Sequence, residues 1–153
     1  MIEFTTFVDI DRPPDEVFAV VSRFENTPAW NYFVIDVTQR SAGPPGVGTV
    51  FHQVRKTDQQ DFKIVALDPG RSVEIMTTPG SSPSFKIRYD FEAIDSGTRV
   101  RNAWQLGTGH HPLLERLGSH RIRTAVTENL HKLKQLLENG TTQLQDGRTS
   151  ALA

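Results

Sequence analysis

Three polar side chains fall where the surrounding pattern is apolar. Asn102 alternates onto the same strand face as Val100, Trp104 and Leu106. Asn129 stands among Val126, Leu130 and Leu133 at helical spacing, and Tyr89 shares a face with Ile87 and Phe91. Burying an amide without a partner costs on the order of 1–3 kcal/mol. Such groups either satisfy one another or buried water, or supply the few placed hydrogen bonds of an otherwise apolar small-molecule pocket.

Other chemistry is thinner. Of the five histidines, His110 and His111 fall in the glycine-rich loop GTGHHP, which reads as solvated. His120 and His131 share a helix face, but eleven residues of helix separate them by ~16 Å. That is too far to grip one ion. His52 has two phases: inward beside Val50 and Val54, or outward with Phe51 inward, and the sequence leaves both open. With no second histidine or carboxylate at ligand spacing, no metal and no other cofactor is expected.

Ser81, Ser82 and Ser84 lack a G-x-S-x-G elbow. The segment GPPGVG lacks the Lys-Ser/Thr ending of a phosphate loop. Paired inward carboxylates, the requirement for glycosidase chemistry, are absent. Arg88, Arg99 and Arg101 alternate outward beside Asp90 and Glu92, a mixed-charge face in solvent rather than a nucleic-acid surface. The catalytic residues, if there are any, are unassigned.

The elements that must position these residues follow from period and punctuation. Residues 2–10 alternate as a strand, and Pro13-Pro14 stops it. Val17, Phe18, Val20, Val21 and Phe24 recur at helical spacing, and Asn26–Trp30 reads as a second short helical turn. Strands follow at 33–39, 50–55, 62–67, 72–77, 85–93 and 98–106, with 56–61 as a polar turn. The last two form a hairpin about Asp95-Ser96-Gly97. Matching their apolar faces pairs Phe91 with Val100, Tyr89 with Asn102 and Ile87 with Trp104. A helix from about Leu113 to Glu138 carries the stripe Leu114, Leu117, Ile122, Ala125, Val126, Asn129, Leu130, Leu133 and Leu137, with Gly118 a weak point. Short links make the sheet antiparallel. About seven twisted strands curl, and curled around one helix they leave a gap.

At 153 residues the chain fits one domain, read as residues 1–139 followed by a polar, flexible C-terminal tail at 140–153. A formal charge of −1 offers no field for a nucleic-acid backbone. The absence of cysteine excludes disulfides and thiolate sites and is compatible with a reducing cytoplasm. The opening MIEFTTFVDIDRPP lacks the basic segment and apolar run of a signal peptide. No stretch reaches the ~18 apolar residues of a membrane span. A cytoplasmic location is expected.

This order of motifs resembles the START-like, helix-grip superfamily (SRPBCC), and within it the polyketide cyclase/dehydrase family. Ile10-Asp11-Arg12-Pro13-Pro14 with Val17-Phe18 is similar to that family's strand–proline–helix opening. Phe24-Glu25-Asn26 with Pro28 and Trp30 is similar to its second helix. Gly46-Val47-Gly48-Thr49, Asp68-Pro69-Gly70-Arg71, Tyr89-Asp90-Phe91-Glu92 with Gly97-Thr98-Arg99-Val100, and Asn129-Leu130 through Leu137-Glu138 resemble its turns, hairpin and terminal helix. The likeness spans about residues 2–138. It implies an α+β helix-grip fold: a curved antiparallel sheet of about seven strands around a long C-terminal helix, with two short helices between the first two strands.

The resemblance also implies a cavity between helix and sheet. Its expected lining is Trp30, His52, Ile75, Phe85, Ile87, Tyr89, Phe91, Asn102, Trp104, Ile122, Val126 and Asn129. For any one of these side chains, plain core packing is the favoured reading over ligand contact. Three functions follow from the resemblance. The first is binding of a small hydrophobic ligand, lipid or polyketide-like. The second is an enzyme of cyclase/aromatase type, with Tyr89, Asn102, Asn129 and His52 as donors or proton shuttles. The third is a protein-interaction module, which an exposed apolar patch would mark. The oxygenase branch, with its iron–sulfur cysteines, is set aside. The expected partner is a small hydrophobic molecule, with a homodimer left open; nucleic acid and membrane spans are not expected.

Overall fold

Alternation in the first residues becomes strand β1 (Ile2–Ile10), which turns Ile2, Phe4, Val8 and Ile10 into the core. The structure is a computed structural model and describes residues 1–107 and 112–152, with 112–117 as helical backbone only. Helix α1 (Pro14–Ser22) starts on a proline whose missing N–H would have no helical partner, and Asp15 and Glu16 meet the positive end of its dipole. Val17 and Val21 are its buried side. A 3-10 helix, Phe24–Ala29, follows.

Six further strands complete one sheet: β2 (Val34–Gln39), β3 (Val50–Arg55), β4 (Gln59–Asp68), β5 (Ser72–Thr77), β6 (Phe85–Ile94) and β7 (Gly97–Leu106). Their order is β1-β7-β6-β5-β4-β3-β2, antiparallel throughout. The β6–β7 register is the one that the apolar faces require: Phe91 opposite Val100, Tyr89 opposite Asn102, Ile87 opposite Trp104. The ladder runs on to Ile94–Gly97. Gly97 has φ +146°, and a Cβ there would collide with the Ile10 carbonyl, so this turn requires glycine.

Two segments differ from the sequence expectation. Strand β4 begins at Gln59, inside the expected polar turn, because Gln60 faces inward. Gln60 is 1% exposed; its Nε2 donates to the Pro83 carbonyl at 2.5 Å and its Oε1 accepts from Gln53 Nε2 at 3.2 Å. Within the segment 140–153, expected to be a flexible tail, the described residues hold two short strands, β8 (Thr141–Gln143) and β9 (Thr149–Ala151). Gly140, at φ +83°, turns the chain back at the end of helix α2 (Pro112–Asn139). Leu144 is then buried, Thr142 Oγ1 lies 2.7 Å from Gln135 Oε1, and Ser150 Oγ donates to the Ala29 carbonyl at 2.8 Å. Strands this short carry too few apolar positions to show a period.

Helix α2 runs along β1. Val126, Asn129, Leu130, Leu133, Leu136 and Leu137 form its buried side, while His120 and His131 are exposed. Its C-terminal end is clamped. Lys134 Nζ donates to the Asp9 carbonyl and to Glu138 Oε2, both at 2.7 Å. Glu138 Oε2 also accepts the Asp11 N–H at 2.9 Å, and its carbonyl accepts Arg12 Nη2. The Asp11 amide and the Lys134 ammonium hold the Glu138 carboxyl below its usual 4.5. A depressed carboxylate pKa stabilises the fold above the unfolded value and loses that effect as pH falls through the folded one. Glu138→Gln is therefore expected to melt below wild type at pH 7. The gap should close as pH drops below about 4.5 in parallel thermal melts; a gap constant with pH would contradict the clamp. No helix among the described residues is long and apolar enough to cross a membrane.

Candidate functional site

The concave face is built by period two. Val73, Ile75, Phe85, Ile87, Tyr89, Phe91, Val100 and Asn102 all point inward and are at most 6% exposed. Cross-strand pairing sets Ile75 beside Ile87 and Ile87 beside Trp104, with Tyr89 beside Asn102. Phe91 packs edge-on against Phe18 of α1 (5.4 Å), and Phe85 tilts against Phe62 (6.0 Å). These two rings therefore serve the core ends. The remaining wall is Ile75, Ile87, Tyr89, Asn102 and Trp104, with Val126, Asn129 and half-buried Ile122 on α2.

The polar groups of this wall divide in two. Asn102 is satisfied: its Nδ2 donates to the Arg88 carbonyl at 3.2 Å, and its Oδ1 accepts Trp104 Nε1 at 2.6 Å. This pair lays the indole along β7, where it also stacks on Phe4 at 5.9 Å and 8°. Tyr89 and Asn129 are not satisfied. The Tyr89 hydroxyl makes no hydrogen bond among the described residues, and burial alone pushes its pKa well above the usual value. Asn129 Oδ1 is buried without a partner, as is Trp30 Nε1 at the end of the 3-10 helix. Tyr89 and Asn102, adjacent in the ladder, do not bond each other.

His52 is a correction to the expected lining. Phe51 takes the inward phase, fully buried and stacked on Phe62 at 5.3 Å. His52 turns to the opposite face, where Nδ1 lies 2.6 Å from Asp61 Oδ1 and Nε2 lies 3.1 Å from Gln59 Oε1. The pattern alone missed this because Val50 and Val54 make the other phase look apolar too. Gln60 was also missed, although its alternation with Phe62 and Ile64 carries the signal. His110 and His111 lie outside the described residues, as do the side chains of Leu114 and Leu117.

The outer face carries ion pairs. Arg99 binds Asp9 through two bonds of 2.8 and 2.9 Å, Arg88 pairs with Asp90, and Arg101 with Glu92. Two clefts lie away from the α2–sheet interface, and neither is lined by a residue of the wall around Tyr89. One, about 640 Å³, opens between the 3-10 helix, β2 and β9. The other, about 460 Å³, lies beside Pro14, Arg71 and Arg101. Among the described residues, no group of three or more His, Asp or Glu side chains could hold a metal ion.

The sequence profile of the family described as "Polyketide cyclase / dehydrase and lipid transport" matches residues 1–138. No curated protein matches the chain. Many solved structures share the fold, three of them as follows. The di-domain ARO/CYC BexL from the BE-7585A biosynthetic pathway superposes with a TM-score of 0.70 at 15% identity over 93% of this chain, which spans 50% of BexL. A protein of Thermus thermophilus gives 0.70 at 16% identity, covering 90% of this chain and 98% of that one. The Aha1 dimer from Colwellia psychrerythraea gives 0.67 at 19% identity, covering 92% and 98%.

Proposed function

The chain belongs to the polyketide cyclase/dehydrase and lipid-transport family, and from that premise we propose that it binds a small, oxygen-bearing hydrophobic molecule between α2 and the concave face of the sheet. One observation carries the reading: Asn129 Oδ1 is withdrawn from water without a protein partner, and the Tyr89 hydroxyl makes no hydrogen bond among the described residues, in an otherwise apolar wall. Each unpaired buried group costs about 1–3 kcal/mol. A ligand that donates to Asn129 and accepts from Tyr89 recovers that cost. Keto and phenol oxygens on a flat apolar frame have this chemistry. Burying some 250 Å² of such a frame contributes roughly 6 kcal/mol before association costs.

A cyclase reading is favoured by one feature of the same wall. Burial keeps the Tyr89 phenol neutral, so it acts as a donor towards a developing enolate rather than as a base. No carboxylate or imidazole stands among the wall residues named above, so the proton would have to leave by another route. Binding therefore ranks first.

The test uses the chain's two tryptophans, Trp30 and Trp104. Emodin, 2-naphthol, oleate and decane are titrated while Trp emission and melting temperature are followed. The oxygenated aromatics are expected to quench emission and raise the melting temperature. Tyr89→Phe should weaken them about tenfold, the worth of one hydrogen bond of about 1.4 kcal/mol. No response to any of the four compounds would overturn the proposal.

A further inference from the structure

Asn129 stands apart from the other buried polar side chains. Gln60 bonds Gln53 and the Pro83 carbonyl, Thr98 Oγ1 donates to the Arg12 carbonyl, Thr142 meets Gln135, and Asn102 holds Trp104 and the Arg88 carbonyl. Asn129 is 4% exposed, yet neither its Oδ1 nor its Nδ2 bonds a protein group among the described residues. Its neighbours on the buried side of α2 are Val126, Leu130 and Leu133, which carry no polar side-chain atom. The main-chain groups around it are spent within the helix. Asn129 is therefore unfavourable for the fold on two counts: asparagine prefers the helix less than leucine does, and its amide is desolvated without a partner. Packing gives no reason for an amide at this position.

A carboxamide offers an acceptor and a donor side by side. The group that satisfies both at once presents a donor beside an acceptor on one edge: a cis-amide or lactam, or a carboxylic acid in its neutral form. A lone keto or phenol oxygen leaves half of the Asn129 amide unpaired. Charge narrows the choice further. No Lys, Arg or His stands among the wall residues named for the α2–sheet interface, so a carboxylate would be desolvated there without a counter-ion, which is costly. A carboxylic acid would have to stay protonated far above its ordinary pKa to enter at neutral pH. The amide edge is neutral without that cost. The Tyr89 hydroxyl, which makes no hydrogen bond among the described residues, remains for a second oxygen.

We propose that Asn129 sets the specificity of this pocket and selects ligands with a neutral cis-amide edge, an N–H beside a C=O as in an aromatic lactam. The inference rests on the reading of a hydrophobic pocket between α2 and the sheet and names the head group that pocket takes. The test is isothermal titration calorimetry of the intact chain with phenanthridinone, with the lactone of the same shape in which a ring oxygen replaces the N–H, and with emodin. The lactam is expected to bind at least tenfold more tightly than the lactone, about the worth of one hydrogen bond. The difference should vanish in Asn129→Leu. The same variant without ligand should melt above wild type, because leucine removes the unpaired amide. A fall in its melting temperature would mean that the amide is already satisfied in the empty protein, and overturns the proposal. Equal binding of lactam and lactone by wild type overturns it whether or not the variant folds. Emodin binding without lactam binding overturns it and leaves the pocket reading standing; no binding by any of the three compounds overturns both.

Discussion

Phe62→Ala is expected to lower the melting temperature by roughly 10–15 °C. Large-to-small changes of buried phenylalanine cost about 3–5 kcal/mol, and a chain of this length loses about 2–4 °C per kcal/mol. Phe62 is 1% exposed and touches three other rings: Phe51 stacked at 5.3 Å, Phe24 edge-on at 5.5 Å and Phe85 tilted at 6.0 Å. These rings come from the 3-10 helix, β3, β4 and β6, so no single neighbour can move in to fill the void. Phe62→Leu should fall between wild type and Phe62→Ala. Far-UV circular dichroism melts check this; a drop below about 3 °C for Phe62→Ala would mean that this end of the core is loosely packed.

The second large effect is on binding. Asn102→Leu removes the acceptor of Trp104 Nε1 and the donor to the Arg88 carbonyl in one step. The Trp104 Nε1–H is left without its acceptor beside an apolar side chain, so the expected loss is about 2 kcal/mol of stability. The indole loses the bond that fixes its plane against Phe4. Emodin affinity should then fall at least tenfold, more than for Tyr89→Phe, because a whole face of the wall loses its shape. Urea titration and emission quenching measure the two effects. If binding is unchanged while stability falls, Asn102 is a core residue only.

Much of the fold was legible because several signals agreed. In β6 and β7, strict alternation of apolar faces demanded the observed register, although the loop closes more tightly than expected, on Asp95-Ser96 alone. The inward placement of Tyr89, Asn102 and Asn129 followed from the same periods. What was hidden depended on tertiary partners. The phase of β3 is decided by Phe51 stacking on Phe62 and His52 meeting Asp61, contacts between strands that no local pattern contains. The hairpin at 141–151 hid because Thr142 and Leu144 are its only deeply buried side chains. Likewise, that Asn102 would bond to Trp104 rather than to its ladder neighbour Tyr89 is a choice between two inward partners, and geometry alone makes it.

The claim on which binding, and the cyclase alternative with it, depends is the location of the ligand. The most direct measurement is a crystal structure of the chain grown with the tightest aromatic ligand of the titration series. The account predicts a planar density between α2 and strands β5–β7, with one oxygen within hydrogen-bond distance of the Tyr89 hydroxyl and another near Asn129 Oδ1. Density confined to the outer surface, with Ile87, Trp104 and Val126 packed directly on one another, would contradict it.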